Sequence, residues 1–383
     1  GRGSFGRVAA NEMLATHLIG AATAPNTGVV VHGLLGSSRS WRTFAAGLVS
    51  RLKDWKFLLV DLPGHGGSVD SAFGSGGGLT WGIRDSPQPC LTHPSALASA
   101  AFSLSLTLKE RGIGDSDGRM MYIGHSVGGK VLLELLAQQE PSPGEKQFVV
   151  IDAPPGIIPS SAVERDSEVG WRLLRFCTNF KMPISKRVDI TKAAEEAGFS
   201  RNLAKWLTTC LRPASHSPGY EWSFDAPTAR NLFHSYLTTD SWGAVEMPPL
   251  GCTLHLVESS VSSRWGRREV VSRLRSVCTP PSATPDAGVL EGVVPSGASY
   301  PSSTFPSAVT RGNLGPARTL WVPSAAATGG RVPPPCSTTP TERCGTTHVH
   351  KLQSGHWVLR DNPTGLEDII LKAVTHSEGE CER

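Results

Sequence analysis

No apolar run among these 383 residues approaches the length needed to cross a bilayer, so no transmembrane helix is expected. No C-x-x-C pair occurs among the eight cysteines (Cys90, Cys177, Cys210, Cys252, Cys278, Cys336, Cys344 and Cys381). They outline neither a zinc site nor a small disulfide scaffold, and free thiols in a reducing compartment are the expectation. The charge balance is also weak: 18% charged residues and a net +4 offer no reason to expect a nucleic-acid partner. No secretory h-region is present, and the start at Gly1 rather than Met is read as that of a fragment or a processed form. Gly74–Gly78 (GSGGG) lacks the Lys-Ser/Thr of a P-loop and follows no strand, which argues against phosphate binding. His348 and His350 share a strand face without an identifiable third ligand, so neither a metal nor another cofactor is expected. No internal repeat is visible.

What the chain does have is a recurring unit: a short β-branched run, a glycine-rich turn, then a helical pattern. Thr27–Val31 leads into His32-Gly33-Leu34-Leu35-Gly36, after which Trp41, Phe44, Leu48 and Leu52 fall on one helical face. Phe57–Val60 leads into Asp61-Leu62-Pro63-Gly64-His65-Gly66, Met120–Ile123 into Gly124-His125-Ser126-Val127-Gly128, and Phe148–Ile151 into Asp152-Ala153-Pro154-Pro155-Gly156. Thr253–Val257 and Thr347–Leu352 complete the strands. A last helix carries Leu366, Ile369, Ile370 and Ala373 at amphipathic spacing. Strands alternating with helices predict a mostly parallel sheet covered on both faces. Its site should lie beyond the carboxyl ends of the strands, where these glycine-rich turns gather.

Three stretches break the pattern. Residues 71–95 form a Gly/Ser/Pro loop longer than compact domains usually carry. Residues 157–250 hold helical patterns such as WRLLRFCTNF and RNLAKWLTTCL but no clear strand, and are read as a helical cap. Residues 279–345, rich in Pro, Ser, Thr and Gly, have little to bury and are expected to be disordered. The composition of the first and last stretches also suits inserted sequence such as a retained intron. The basic stretch Arg264, Arg267, Arg268, Arg273 and Arg275 is expected to be a solvated helix face.

The chemistry centres on Ser126. A bare G-x-S-x-G is a weak signal, but strand-turn-helix context gives it a mechanical reason: Gly124 and Gly128 leave room for a strained turn that lifts the hydroxyl above the sheet edge. A serine hydroxyl needs a base, an orienting acid and an oxyanion hole. His356, just after the last strand, is the candidate base. The amides of Leu34 and Val127 are the natural oxyanion donors, with Gly33 and His125 beside them. His65 is expected near the mouth of the site.

The blocks VVVHGLLGSSRSW, VDLPGHGGS, YIGHSVGGK and LQSGHWVLRDNP, with the cap segment EWSFDAPTARNLFHSYLTTDSWGAVEMPP, resemble the serine α/β-hydrolase superfamily. More narrowly they are similar to its abhydrolase-domain-containing protein 11 branch, which has bacterial esterase relatives and plant and algal members. The likeness covers roughly residues 14–68, 95–278 and 346–375. It implies an α/β-hydrolase fold with an eight-stranded type of core. The core would run from 14 to 156, resume at 251–278 and close at 346–375, with the cap at 157–250. It further implies esterase or thioesterase activity, Ser126 as nucleophile, His356 as base, and Leu34 with Val127 as oxyanion donors. Asp61 matches a structural, non-catalytic aspartate. Organellar members of the branch make chloroplast or mitochondrion the location to test.

The acid departs from the superfamily pattern. The usual position after Thr253–Val257 holds Ser262 or Ser263, with Glu258 the only acid nearby. Asp152, ending the strand that follows the serine's own helix, is preferred, since relatives in the branch carry an aspartate there. The expected reaction is hydrolysis of a small-molecule carboxylic ester or thioester with a small or medium acyl group, through an acyl-enzyme. The alternative is a non-catalytic hydrolase-like protein whose pocket binds a ligand or partner. Oligomeric state and physiological substrate are not read from the sequence.

Overall fold

Near-continuous β-branched runs suit strands whose two faces are both covered. In the computed structural model, which describes residues 13–69, 95–114, 118–142, 144–159, 168–278 and 344–380, those runs pair into one sheet. Its strands are β1 (Thr16–Ile19), β2 (Asn26–Val31), β3 (Trp55–Val60), β4 (Met120–His125) and β5 (Lys146–Ile151). Later in the chain come β8 (Cys252–Ser259) and β9 (Thr346–Leu352). Two short strands between these groups, β6 (Leu211–Pro213) and β7 (Tyr220–Trp222), pair only with each other. The sheet order is β1-β3-β2-β4-β5-β8-β9, with β1 antiparallel to β3 and every other pair parallel.

Among the described residues this sheet has seven strands, not the eight that the resemblance implies. The edge strand β1 and the β6–β7 ribbon carry no apolar alternation long enough to announce them, so the cap segment does contain strand.

Alternate residues along each strand serve opposite faces. Val29, Val31, Leu58, Val60, Tyr122, Phe148 and Val150 pack toward α2 (Ala96–Glu110) and α3 (Val127–Ala137). Val30, Phe57, Leu59, Met121, Ile123, Val149 and Ile151 face the other side. There α1 (Arg42–Arg51) and the last helix supply Leu48, Leu366 and Ile370. Strand order reverses direction between β2 and β4, so the crevice at their carboxyl ends is the topological switch point where such sheets bind ligands.

Between β5 and β8 the chain forms α4 (Glu168–Asn179), α5 (Arg187–Glu196), α6 (Arg201–Leu207), α7 (Ala226–Thr238) and α8 (Trp242–Glu246). Lys130, fully buried on α3, ties this segment down. Its ammonium donates to the carbonyls of Gly156 (2.9 Å), Tyr236 (2.8 Å) and Thr239 (2.8 Å), satisfying the end of α7. After β8 come α9 (Arg268–Cys278), then β9, α10 (Val358–Asp361) and α11 (Pro363–Glu380).

Of the two stretches set apart by composition, residues 71–94 and 279–343 lie outside the described residues. Their edges are ordered: Ser95 caps α2 by accepting from Ala98 N–H, and Gly345 N–H donates to Pro248 O. His348 and His350 both lie beside His255 of β8. His350 Nε2 lies 2.9 Å from Nδ1 of His255, whose Nε2 donates to Gln147, and no group of three potential ligands converges among the described residues. No described helix is long and apolar enough to cross a membrane.

Candidate active site

Three non-glycine residues among those described have positive φ: Leu35 (59°), Ser126 (54°) and Asp152 (45°). Such backbone is costly for an L-residue and collects where side chains must be aimed. All three stand at the carboxyl ends of neighbouring strands.

Ser126 sits between β4 and α3 with φ 54° and ψ −117°, and its N–H donates to Ile151 O at 2.8 Å. The turn needs its glycines. A Cβ on Gly128 would stand 2.5 Å from His32 O and 2.6 Å from Val31 O, and one on Gly124 would stand 2.6 Å from Gly128 O. Backbone therefore approaches backbone here with no room for a side chain. Val127 opens α3, and its amide, one of the free donors of a helix start, makes no hydrogen bond among the described residues.

The register explains why Asp152 is close. His125 of β4 pairs with Ile151 of β5, so Ser126 and Asp152 each follow one member of a cross-strand pair. Asp152 is fully buried, and its Oδ2 accepts from His356 Nδ1 at 2.6 Å. Its Oδ1 accepts from the Trp265 indole N–H at 2.7 Å. Burial alone would raise this carboxyl's pKa. The His356 hydrogen bond and charge, the Arg264 charge and the Trp265 donor together outweigh it and hold the group well below the usual carboxylate range. With Nδ1–H on the carboxylate, His356 keeps Nε2 for a proton from elsewhere. His356 and Ser126 line the same cavity.

His125 positions that histidine. Its Nε2–H donates to His356 O at 2.9 Å, and the two rings lie 4.8 Å apart. Burial, then the neighbouring His356, pushes its pKa down to about 3, so it stays neutral.

The loop after β2 is braced by two more neutral imidazoles. His32 donates from Nδ1 to Gly33 O and accepts from Leu62 N–H. His65 donates from Nδ1 to Pro63 O and accepts from Leu35 N–H at 3.2 Å. Burial, then the nearby His32, brings the His65 pKa down to about 3. Burial likewise lowers that of His32. Asp61 holds the same region by accepting from Ser38 N–H and Gly67 N–H, a structural role. The Leu34 amide makes no hydrogen bond among the described residues, and Leu34 lines the cavity. Gly33 lets this loop close on the serine, since a Cβ there would meet His125 Nδ1 at 2.9 Å and Ser126 Cβ at 3.4 Å.

The cavity holds about 520 Å³, within the range of small-molecule sites. Helices α4, α6 and α7 roof it with Leu173, Trp206 and Phe233. Trp206 of the roof packs on Trp357, next to His356, with ring centroids 4.7 Å apart.

The structure thus brings Ser126, His356, Asp152, Gly33, Leu34, His125 and Val127 to one place. It does not bring Glu258 or Ser262 to His356, whose carboxylate partner is Asp152; the Ser263 side chain lies outside what is described. Two expectations need correction. His65 is not at the mouth but fully buried, covered by Phe224 of the cap segment, to which it is bridged. Arg264 is not on a solvated helix face: it precedes α9 and lines the cavity. Trp265 was missed altogether. No periodicity marks it, because its partner Asp152 is 113 positions away.

The alpha/beta hydrolase family model matches residues 29–369. A 2-succinyl-6-hydroxy-2,4-cyclohexadiene-1-carboxylate synthase of Serratia proteamaculans (strain 568) is 28% identical over 155 residues, 40% of this chain and 48% of the relative. The chain therefore spans about half the length of the curated relative it matches. Among solved structures, E-2-(acetamidomethylene)succinate hydrolase is similar with TM-score 0.52 and 13% identity, covering 94% of this chain and 95% of that one. A marine microorganism esterase gives TM-score 0.49 and 14% identity, covering 69% and 86%. At 13% identity the likeness to the first structure speaks for the fold. The family match extends over most of the chain, and by it this protein belongs to the alpha/beta hydrolase family.

Proposed function

We propose that this protein is a serine hydrolase that cleaves carboxylic esters or thioesters of small or medium acyl groups through an acyl-enzyme. Family membership supports a hydrolase. The observation that carries the finer reading is the 2.6 Å bond from His356 Nδ1 to a buried Asp152, beside a serine held at φ 54° in the same cavity. The blocks VDLPGHGGS and LQSGHWVLRDNP favour the abhydrolase-domain-containing protein 11 branch within the family.

In this reading Ser126 Oγ attacks the substrate carbonyl carbon while His356 Nε2 takes its proton. Asp152 holds the imidazole in the required tautomer and stabilises the imidazolium. The amides of Val127 and Leu34 donate to the developing oxyanion, a contribution worth about 10²–10³ in turnover per donor. Collapse expels the alcohol or thiol with the proton from His356. Water, activated by the same imidazole, then releases the acid and restores Ser126.

The experiment is labelling with a fluorophosphonate probe. The folded protein should react at one residue, and Ser126→Ala should abolish the reaction. No labelling of well-folded protein would favour a ligand-binding role instead.

A further inference from the structure

Gly170 stands in the first turn of α4, in the roof of the cavity, and its φ is not positive. The backbone therefore gives no reason for a glycine, which is less favourable than alanine in a helix. The reason is a contact. A Cβ on Gly170 would stand 2.5 Å from Cζ of Phe233 on α7, and 3.1 Å and 3.2 Å from its Cε1 and Cε2. The tip of one aromatic ring is thus seated on the bare backbone of the neighbouring helix. Both residues line the cavity that holds Ser126.

A methyl group at position 170 would have to move that ring. Phe233 is buried and flanked by two aromatic neighbours. Trp171 meets it edge-on with ring centroids 5.2 Å apart, and the fully buried Tyr236 stacks on it at 6.0 Å. The cavity side is open, so a displaced ring swings toward the substrate. Leu173, Leu203 and Trp206 roof the same space, a surface suited to a hydrocarbon chain.

We propose that Gly170 is a specificity-determining residue: its lack of a side chain seats Phe233 against α4, and the seated ring sets how long a hydrocarbon chain of the ester or thioester the cavity accepts. This rests on the hydrolase reading above. A chain that stops short of Phe233 does not sense position 170, whereas one that reaches the ring loses its place when the ring swings in. The chain does not react, so the effect is discrimination between substrates in kcat/KM.

The test counts active sites by fluorophosphonate labelling, then measures kcat/KM along two series. One is the p-nitrophenyl esters from acetate to decanoate, and the other the acetates of alcohols from ethanol to decanol. In at least one series the wild type should show a length beyond which kcat/KM falls. There Gly170→Ala should cost about ten-fold or more on the longest chain the wild type accepts well, and leave the shortest ester within about two-fold. Phe233→Leu lacks the ring atoms nearest Gly170 and should extend the accepted length. In that background Gly170→Ala should no longer shorten it. A wild type with no length limit in either series, an equal loss on short and long esters, an unchanged profile, or a shortening that persists without the ring overturns the inference. If Gly170→Ala does not fold, Phe233→Leu decides, and an accepted length no greater than that of the wild type counts against the proposal. Labelling without these shifts defeats this inference alone, whereas no labelling at all defeats the hydrolase reading beneath it.

Discussion

Trp265 donates its indole N–H to Oδ1 of Asp152 at 2.7 Å, so the carboxylate that orients His356 is gripped from its other side by the loop after β8. A carboxylate buried with both oxygens engaged cannot rotate away from the imidazole. Asp152→Asn should therefore cost about 10⁴ in kcat, as the loss of the orienting acid does in serine triads. Trp265→Phe should cost about ten-fold, the value of one hydrogen bond to a charged group. Glu258→Gln and Ser262→Ala should stay near wild type. Steady-state hydrolysis of p-nitrophenyl esters measures all four, and an active Asp152→Asn would show that the acid lies elsewhere.

His125 lines the cavity and also donates to the His356 carbonyl. His125→Phe keeps a ring of similar size and removes the donor. We expect kcat to fall about ten-fold with little change in KM, because the imidazole is less well placed while the cavity persists. A rise in KM with unchanged kcat would instead make His125 a substrate contact.

The glycines divide into two kinds. A Cβ on Gly128 would collide with the backbone oxygens of Val31 and His32, which cannot yield without separating β2 from the serine turn. Gly128→Ala should leave little folded protein. A Cβ on Gly33 would meet His125 Nδ1 at 2.9 Å, with His125 O and Ser126 Cβ each at 3.4 Å, so the His125 ring rather than a strand has to shift. Gly33→Ala should fold, with a melting temperature near wild type and turnover lowered by at least an order of magnitude. Circular dichroism beside an esterase assay separates the two cases.

Stability should depend on pH in a defined direction. Burial lowers the pKa values of His32, His65 and His125 in the folded chain, the last two to about 3. Once the pH falls below about 6.5 the unfolded chain takes up protons that the folded chain refuses, so stability falls as pH drops. For His65 the loss at pH 5 is about 2 kcal/mol. Asp152, with a lowered pKa, keeps its contribution above its ordinary value near about 4 and loses it only in stronger acid. Melting temperature should decline from pH 7 to pH 5, and His65→Gln should make the decline shallower. A flat profile would contradict neutral burial of these rings.

Much of the sheet could be read because parallel strands covered on both faces appear as unbroken apolar runs, as in VVV of β2 and FLLV of β3. Strand β1, four residues of mixed polarity at an edge, has no such signature, and β6 and β7 are three residues each. The serine turn was legible from local chemistry, two glycines and a helix start. Asp152 as the partner of His356 is preferred through the family resemblance rather than local spacing, since the contact depends on which strand lies beside which. The pairing of His125 with Ile151 brings the end of β5 next to the serine. Residues defined by long-range contact, such as His65 under Phe224, Trp265 on Asp152 and Arg264 in the cavity, leave no mark in local spacing.

Lys130 lies one helical turn beyond Ser126, and its three carbonyl partners belong to Gly156 and the end of α7. Ser126 and that end of the roof are consequently fastened to the same short helix. Lifting it to widen an entrance means tearing a buried cation from all of its acceptors. Elsewhere the roof meets the core through apolar packing, the tilted indoles of Trp206 and Trp357, whose separation breaks no such ionic hydrogen bonds.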